Sequence, residues 1–579
     1  MPISYPIYRL RQLLPTVRRI CRQQRSVMLL NRMGRWLMGE RGFTRQPIVA
    51  VDEWERWSHR HRETAEDLLY ITTTRFFICI LGQGADAQAL TRASLVGMTG
   101  EWVEVEQANA LAHAVTQIDD AAKWLLLIRA GDTLIPHAKR LIENALEQSP
   151  EADVFYGDYL IAHKSQREPR LRPGLIGPLL MADNVLAPIA IIRRTTFESL
   201  HPILQNTWVG WLHEAALQLQ RRATTWIHIP QALATILPPA PLTQVEQVEM
   251  RHAILMHLVA NDLRTVDFQL RPVQNMMIPN ATWAPPEKHS VSIIIPNRDH
   301  AALIRHCLRG LLLQTDYDDF EVIVVDTGST DPATWAVYKQ FHEDARFRFV
   351  IYYEKPFNFS RVCNVGAAQS TGRYLLFLNN DTQIIESLWL HKMVQWFAWP
   401  RVGVVGARLL YPDGTLQHAG VTVGLWGLAG HAQARMTVDH MSVLGSDAWT
   451  RQLLAVTGAC LMIPHAVLEE VGGWDEDYQL NFSDVQLCLD VHARGYQVIY
   501  AADAQLIHHE AQTHQRSVPR ADFLRASEKF APWLERGDPS YHPALSYEVP
   551  LSLNDNGHTP LDLDRRVLQN LPPDEWIEV

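Results

Sequence analysis

The amino-acid sequence predicts an α/β protein whose core is a doubly wound, largely parallel sheet. Short apolar runs at residues 291–295, 322–325 and 374–378 each lead directly into polar residues, as buried parallel strands do. Between the first two runs, apolar side chains recur at helical spacing from Leu303 to Leu312. This order forms a β-α-β unit, and ligands bind such sheets at the carboxyl ends of the strands.

Length and composition indicate a multidomain globular protein. A chain of 579 residues is too long for one hydrophobic core and predicts two to four domains. No apolar run reaches the length of a membrane span, and the first residues lack the apolar core of a signal peptide, so we expect a cytoplasmic protein. The six cysteines are far apart without C-x-x-C spacing, which favours buried, reduced thiols over disulfides or a zinc site.

The first 50 residues differ from the rest in charge. They contain ten Arg, one Glu and neither Lys nor Asp, a net charge of +9, which leaves −19 for the remainder of a chain that totals −10. Apolar residues recur at helical spacing from Leu10 to Ile20 beside arginines, which predicts a basic amphipathic helix. Such a helix suits an anionic membrane surface, and a packed helix with a solvated arginine face is the alternative. We expect no nucleic-acid partner, because nothing later in the chain is basic.

Composition shifts divide the chain into five parts. A proline-rich linker over residues 283–287 marks the main boundary between two α/β regions. We predict a basic segment over residues 1–50, an α/β domain over 52–240, a helical connector with the linker over 241–288, a second α/β domain over 289–520, and a C-terminal extension over 521–579.

The most informative stretch is the apolar run 374–378, which leads into Asn379-Asn380-Asp381. A carboxylate at a strand end, beside amide oxygens and without a neighbouring thiol or imidazole, suits Mg²⁺ or Mn²⁺ holding a diphosphate. An aspartate that only caps the following helix is the alternative. Neither a G-x-G-x-x-G fingerprint nor a P-loop follows the first strand, so side chains and a metal must hold any nucleotide.

Six short motifs occur in order from residue 291 onward. They are V-S-I-I-I-P-N-R from residue 291, V-V-D-T-G-S-T-D from 324, L-N-N-D from 378, G-G-W-D-E from 472, S-D-V from 483 and H-H-E from 508. The set resembles family 2 glycosyltransferases of the GT-A fold. Q-H-A-G from residue 417 and T-G-A-C from 457 are similar to the bacterial polysaccharide and O-antigen branch, which is often rhamnosyltransferase-like.

The resemblance implies a function. It implies an inverting, metal-dependent transferase that moves a sugar from a nucleotide-diphosphate sugar to a hydroxyl of a growing cell-surface glycan, either free or lipid-linked. The cofactor would be Mg²⁺ or Mn²⁺, and the location cytoplasmic, peripheral on the inner face of the membrane if the basic segment binds there. A non-catalytic nucleotide-sugar or glycan-binding scaffold at the membrane is the alternative reading.

The resemblance also implies catalytic and metal-binding residues. Asp484, in the first turn of a helix, would be the base, although helix capping explains the same position. Asp381 corresponds to the last acid of the family's D-x-D motif, and this chain has Asn at both earlier positions. His508 would supply a second metal ligand, with His509 as the alternative and a structural role for both left open.

The remaining implied residues contact donor and acceptor. Trp474 and Asp475 look like part of the acceptor wall, although a tryptophan after two glycines is as often simple packing. Asp326 would contact the nucleotide base or ribose, and the alternative is a turn-forming aspartate before Gly328. The full set implied for the donor is Pro296, Asn297, Arg298, Asp326, Ser329, Asn364 and Asn380.

The first half of the chain contains a degraded copy of the same pattern. Residues 123–133 mirror 373–382 with one extra residue, which predicts a second domain of the same family placed in tandem. No counterpart of Asp326 occurs there, and the position of the base falls near Leu212, beside His213 and Glu214. We therefore expect the first domain to be degenerate, to have lost catalysis and to serve as a scaffold or acceptor-binding partner.

Overall fold

The computed structural model describes residues 67, 69–116, 122–163, 166–203, 206–222, 224–273, 276–286, 289–353, 355–509, 517–573 and 576–578. The amphipathic helix predicted within residues 1–50 lies outside these ranges. Within them, no helix combines the length and the apolar character needed to cross a membrane.

The first domain is built on a sheet of eight strands among the described residues. The strands are β1 (Phe76–Leu81), β2 (Gly100–Val105), β3 (Trp124–Arg129), β4 (Thr133–Leu134), β5 (Val154–His163), β6 (Gln166–Arg170), β7 (Ile189–Arg193) and β8 (Trp226–Ile236). The helices are α1 (Ala85–Ser94), α2 (Leu111–Thr116), α3 (Ala138–Gln148), α4 (Leu179–Ala182), α5 (Arg194–Glu198) and α6 (Trp208–Arg221).

A connector joins the two domains. It contains α7 (Gln244–Ala260) and an antiparallel hairpin of β9 (Thr265–Val273) and β10 (Met276–Trp283). Trp283 is buried against Trp396 and Trp399 of the second domain, and its Nε1–H donates to the Gln395 carbonyl at 2.8 Å. The predicted helical connector therefore includes a hairpin as well, and the residue that begins the proline-rich linker is anchored in the second domain.

The second domain is built on a sheet of ten strands among the described residues. The strands of the domain are β11 (Val291–Asn297), β12 (Phe320–Asp326), β13 (Phe347–Ile351), β14 (Tyr374–Leu378), β15 (Thr382–Ile384), β16 (Val402–Leu410), β17 (Leu416–His418), β18 (Thr422–Val423), β19 (Ala429–Gly430), β20 (Met441–Ser442), β21 (Gly445–Ser446), β22 (Arg451–Leu453), β23 (Cys460–Pro464) and β24 (Gln497–His508). Its helices are α8 (Ala301–Gln314), α9 (Pro332–Phe341), α10 (Phe359–Ala368), α11 (Trp389–Val394), α12 (His465–Val471) and α13 (Ser483–Ala493). The C-terminal extension contributes β25 (Ser517–Pro519), α14 (Arg520–Arg536), α15 (Pro560–Gln569) and β26 (Trp576–Glu578).

The two sheets share one topology. The first has the order β2-β1-β3-β7-β5-β8-β4, and the second has β12-β11-β14-β23-β16-β24-β15 with β13 added beside β12. Parallel and antiparallel pairs also correspond, since β7 and β23 each run antiparallel to both of their neighbours. The predicted tandem arrangement of two related α/β domains is confirmed.

Strand β14 shows why the sequence folds in this way. All five of its residues are buried, and alternate side chains enter opposite layers of the core. Leu376 packs in the layer that contains Ile304 of α8, whereas Phe377 packs in the layer that contains Val485 of α13. A strand covered on both faces needs an unbroken apolar sequence, and its first polar residues mark the edge of the sheet.

The state of the cysteines agrees with the prediction from the sequence. The described cysteines are free and buried, as predicted: Cys79, Cys307, Cys363, Cys460 and Cys488.

Three polar side chains, those of Asp158, His228 and His542, connect the C-terminal extension to the first domain. Asp158 of β5 lies with one oxygen 3.0 Å from Nε2 of His228 and the other 2.7 Å from Nε2 of His542. The Arg172 backbone N–H also donates to this carboxylate at 2.7 Å. Burial would raise the pKa of Asp158, but the two histidines together hold it well below its ordinary value.

His228 and His542 border a cavity of about 190 Å³. Together with Asp158 they resemble a metal site, because the ligand atoms of the three side chains lie within 4.8 Å of one another. Their hydrogen bonds give another explanation. The Ala544 N–H donates to Nδ1 of His542 at 3.1 Å, so the proton of the neutral ring is on Nε2. That nitrogen then donates to Asp158 and offers no lone pair to a metal.

We predict that Asp158→Asn lowers the free energy of unfolding by about 3 kcal/mol at pH 7, because an amide cannot accept the buried hydrogen bonds that His228, His542 and the Arg172 N–H make to both carboxylate oxygens. The pKa of Asp158 is depressed in the folded protein, so its contribution is present above the unfolded pKa of about 3.9 and is lost as pH falls through the lower folded pKa. Denaturant titration at pH 7 measures the effect. The control His558→Ala removes a partly exposed histidine of the same extension and should change stability by less than about 0.5 kcal/mol. Equal effects of the two variants would contradict the prediction.

Candidate active site

Polar residues from several strands meet at one edge of the second sheet. Asn297 ends β11 and pairs in register with Asp326, which ends β12. Asp381 follows β14, and the next residue, Thr382, pairs with His508 at the end of β24. The carboxyl ends of parallel strands meet at the same edge, so residues up to 211 positions apart in the chain become neighbours.

A chain of buried hydrogen bonds connects three of these strand ends. Asn380 Nδ2 donates to Asn297 Oδ1 at 2.6 Å, and Asn297 Nδ2 donates to the Tyr338 hydroxyl at 2.7 Å. That hydroxyl donates to Asp326 Oδ2 at 2.7 Å. Burial, followed by the bond to Asp326, raises the pKa of Tyr338, which keeps the phenol protonated as a donor. The chain runs in one direction and fixes the relative positions of β11, β12 and β14.

Asp326 is fully occupied by its own loop. Besides Tyr338, its carboxylate accepts from the backbone N–H groups of Gly328 and Ser329 and from the Ser329 hydroxyl. The Ser329 hydroxyl in turn accepts from the Asp299 N–H at 2.7 Å. These contacts are those of a turn-forming aspartate, the alternative role considered for Asp326. Asp326 and Ser329 together fix the shape of the loop at the strand end. Pro296 is half-buried and Arg298 is exposed beside them.

The side chain of Asn364, which was expected to contact the donor, makes hydrogen bonds to Trp474 and Glu476. Its Oδ1 accepts from the Trp474 N–H, and its Nδ2 donates to the Trp474 carbonyl and to Glu476, each at 2.9 Å. Both amide hydrogens are thus used to hold the loop around Trp474. These contacts favour a structural role for Asn364, and its contact with the donor stays a prediction.

Asp381 and His508 form the most distinctive pair at the edge. Nε2 of His508 lies 3.1 Å from Asp381 Oδ1, and the two side chains are 10% and 4% exposed. Burial would raise the pKa of Asp381, but a proton on Nε2 of His508, when present, supplies a hydrogen bond and a charge that outweigh it and hold the pKa below its ordinary value. Asp381 is therefore an ionised carboxylate facing an imidazole nitrogen.

These two groups fit a divalent metal. A neutral imidazole with its proton on Nδ1 would turn an Nε2 lone pair toward an anionic oxygen at 3.1 Å, and a cation between them makes that arrangement favourable. Neighbouring ligand atoms of an octahedral ion with bonds of about 2.1 Å are roughly 3.0 Å apart. A carboxylate oxygen is a ligand that Mg²⁺ and Mn²⁺ share, and an imidazole nitrogen is a common ligand of transition metals.

The structure separates the two candidate histidines. His509 turns its Nε2 toward Gln383 Oε1 at 3.3 Å, and only its backbone N–H reaches Asp381, at the carbonyl oxygen. His508 alone of the two directs a ring nitrogen at the Asp381 carboxylate.

Asp484 is held beside the same edge by residues 457–459. The Asn379 N–H donates to the Ala459 carbonyl at 3.0 Å, and the Gly458 N–H donates to Asp484 Oδ2 at 2.7 Å. A Cβ at position 458 would lie 3.2 Å from Cβ of Asp484, so glycine permits this close approach. One short segment therefore joins the strand end that precedes Asp381 to the carboxylate expected to act as base.

Two predicted acceptor residues make contacts within the protein. Trp474 is 1% exposed and packs edge-on against Phe359 and Phe377, so no sugar can stack on it. Asp475 binds the guanidinium of Arg525 through Oδ2, at 2.6 Å from Nη2. The expectation for Trp474 was wrong because a buried packing residue and an exposed stacking residue look alike in sequence, and the Asp475 carboxylate is committed to α14.

The corresponding edge of the first domain lacks the metal pair. Asp132 stands where the second domain has Asp381, and it is gripped by Arg129, with Nε and Nη2 each 3.0 Å from a carboxylate oxygen. Burial raises the pKa of Asp132, and Arg129 offsets only part of this effect. A guanidinium thus supplies the positive charge that a metal would supply in the second domain.

The histidine is missing there as well. Thr133 of β4 pairs with Thr235 of β8 in the same register in which Thr382 pairs with His508. A hydroxyl therefore occupies the position of the imidazole.

Sequence reasoning missed two site residues. Tyr338 lies in α9 outside every quoted motif, and no local signal links it to Asn297 or Asp326. Gln417 begins the quoted Q-H-A-G motif, and its Oε1 lies 2.8 Å from Nδ1 of His508.

The strand order and the site define a GT-A-type α/β domain, as the sequence predicted. Residues 292–472 match the model of the family described as Glycosyl transferase family 2. This domain belongs to that family.

Known relatives extend the comparison. O-antigen biosynthesis protein RfbC of Myxococcus xanthus is 33% identical over 430 residues, 72% of this chain and 33% of the relative. The O-antigen chain rhamnosyltransferase RfbN of Salmonella typhimurium is 23% identical over 252 residues, 42% of this chain and 74% of that protein. The chain thus spans only a third of the length of the myxococcal relative. A solved structure of mannosyltransferase PcManGT from Pyrobaculum calidifontis, in complex with GDP-Man and Mn²⁺, is 19% identical, covers 49% of this chain and 76% of that one, and gives a TM-score of 0.34.

We predict that Tyr338→Phe destabilises the protein by about 2 kcal/mol, because it leaves one hydrogen of Asn297 Nδ2 and one lone pair of Asp326 unsatisfied in a buried site. Denaturant titration measures the change. Tyr496→Phe, which removes a hydroxyl from a more exposed pair with Glu470, is the control and should have an effect below about 0.5 kcal/mol. If the two variants are equally stable, the hydrogen-bond chain is not what holds the edge together.

Proposed function

We propose that the second domain transfers a sugar from a nucleotide-diphosphate sugar to a hydroxyl of a growing cell-surface glycan. The observation that carries the proposal is the arrangement of Asp381 and His508 as a metal-binding pair, with Asp484 joined to the same sheet edge through residues 457–459. A metal-diphosphate site and a general base at one edge are the two parts that direct sugar transfer requires.

The donor diphosphate would lie over Asp381 and His508. A divalent ion bound there supplies the positive charge that stabilises the departing diphosphate. The loop after β12 and the end of β11 would form the nucleotide side, where Asn297, Asp326, Ser329 and Asn380 set the shape. Pro296 and Arg298 are the more accessible residues of that group, and Arg298 offers a guanidinium to phosphate or base.

The reaction needs one base and no covalent intermediate on the protein. Asp484 would accept the proton of the acceptor hydroxyl while its oxygen forms a bond to the anomeric carbon. The bond from that carbon to the diphosphate oxygen breaks on the opposite face, so the anomeric configuration inverts. The backbone N–H of Gly458 holds Asp484 Oδ2 and so orients the carboxylate for this transfer.

The acceptor is proposed from the relatives. Both reported relatives carry O-antigen functions in their names, which favours a bacterial cell-surface polysaccharide, free or lipid-linked, and a rhamnosyl or other hexosyl donor. A lipid-linked acceptor would lie at the inner face of the membrane. The basic segment over residues 1–50 would then bring the enzyme to that anionic surface.

The first domain is proposed to be catalytically inactive. Arg129 forms an ion pair with Asp132, and Thr235 stands where the second domain has His508. The hydrogen bond between Asp158 and His542 connects this domain to the C-terminal extension, which supports a scaffolding role.

We expect Asp484→Asn to lower turnover by at least about 100-fold, because an amide cannot accept the acceptor's proton, while donor affinity stays within roughly twofold. The assay is release of nucleoside diphosphate from a panel of nucleotide sugars with Mn²⁺ and a glycan acceptor, and donor binding is measured by calorimetry. Asp490→Asn, in the same helix and bonded to Gln486, is the matched control with near wild-type turnover. Donor binding without turnover in the wild type as well would favour the non-catalytic scaffold.

The two domains should respond differently to loss of the corresponding acid. Asp381→Ala is expected to abolish Mn²⁺-dependent transfer, whereas Asp132→Ala leaves it unchanged, because of these two acids only Asp381 faces an imidazole nitrogen. The measurement is turnover against Mn²⁺ concentration for both variants. Loss of one of two separable transfer activities in Asp132→Ala would show that the first domain is catalytic.

A further inference from the structure

We infer that Gln417 is a positioning residue that sets the tautomer of His508 and thereby keeps a lone pair available beside Asp381. The inference rests on the proposed function, because it concerns a ligand of the proposed metal. Gln417 is in β17 and 4% exposed. Leu409 of β16 pairs with both His418 and Leu506, which brings β17 beside the end of β24.

Gln417 contacts residue 508 at two points. Its Oε1 lies 2.8 Å from Nδ1 of His508, and its Nε2 donates to the His508 carbonyl at 3.4 Å. The second contact fixes the orientation of the amide, because a flipped amide would turn Oε1 toward another carbonyl oxygen. An amide oxygen can only accept, so Nδ1 of His508 must carry the proton.

The consequence falls on the opposite side of the ring. With the proton on Nδ1, neutral His508 has a lone pair on Nε2, 3.1 Å from Asp381 Oδ1 and 3.2 Å from Asn379 Nδ2, which can donate to it. With the proton on Nε2 instead, the ring would donate to Asp381, and the pair would satisfy itself without a metal. The Gln417 amide therefore favours the tautomer whose Nε2 lone pair can bind a metal over the tautomer whose Nε2–H donates to Asp381.

The chain offers a matched control at the next histidine. Gln383 Oε1 lies 3.3 Å from Nε2 of His509, so a second glutamine contacts a second histidine only one residue away. His509 directs no ring nitrogen at the Asp381 carboxylate. Removing the Gln383 amide should therefore leave metal affinity unchanged.

The test uses the full chain and Mn²⁺ alone, with free Mn²⁺ followed by electron paramagnetic resonance. Gln417→Met keeps the side-chain length and removes the acceptor, and it should weaken Mn²⁺ binding roughly 10- to 100-fold. Gln383→Met should bind as the wild type does. In a His508→Ala background, Gln417→Met should cause no further loss, because the effect passes through that ring.

The outcomes separate this inference from the proposed metal site. If His508→Ala weakens Mn²⁺ binding but Gln417→Met does not, the inference is overturned and the site stands. If Asp381→Ala and His508→Ala both bind Mn²⁺ like the wild type, the proposed site falls and the inference with it.

A second measurement does not depend on whether the Gln417 variant folds. In ¹⁵N-histidine-labelled wild-type protein, metal-free and above the range where histidine is protonated, the signal that disappears in His508→Ala should belong to the Nδ1–H tautomer. An Nε2–H tautomer at that position would overturn the inference.

Discussion

Everything at the proposed site depends on how polar groups are satisfied where buried strands end. A strand such as β14 can be apolar throughout because both faces are covered, but its first polar residues must find partners in a space with little water. The bonds from Asn380 through Asn297 and Tyr338 to Asp326 meet this requirement. The same bonds lock three strands together, so Asp381, which directly follows Asn380, is held at a fixed position.

Duplication of the fold shows which parts of that edge belong to architecture and which to chemistry. Both sheets keep the strand order and the pairing of the short strand after the acid, at Thr133 in one and Thr382 in the other. What differs is the partner residue, Thr235 or His508, and the group facing the acid. In the first domain Arg129 satisfies Asp132 internally, so the geometry persists after the need for an external cation has gone.

Sequence patterns predicted what is local and missed what is long-range. The tandem sheets followed from apolar runs and their polar ends, and Asp381, His508 and Asp484 were proposed from short motifs. Trp474 was misjudged because periodicity does not show which face a single tryptophan takes after two glycines. Tyr338, Gln417 and the contact between Asp158 and His542, which are 384 residues apart, depend on distant segments meeting. The hairpin ending at Trp283 was missed because alternation in its strands is weak: exposed and half-buried residues dominate both.

The unusual Asn-Asn-Asp sequence can be explained by the same constraints. An aspartate at position 380 would place a carboxylate oxygen about where Nδ2 now lies 2.6 Å from Asn297 Oδ1, and the two acceptors would repel. At position 379, an amide can donate to His508 Nε2, which a carboxylate cannot do. One carboxylate with a neutral imidazole would also leave a divalent ion with a net charge of about +1, against about zero with two carboxylates. A single acid would thus strengthen the attraction of the proposed metal for a diphosphate, provided that the imidazole keeps its lone pair toward the ion.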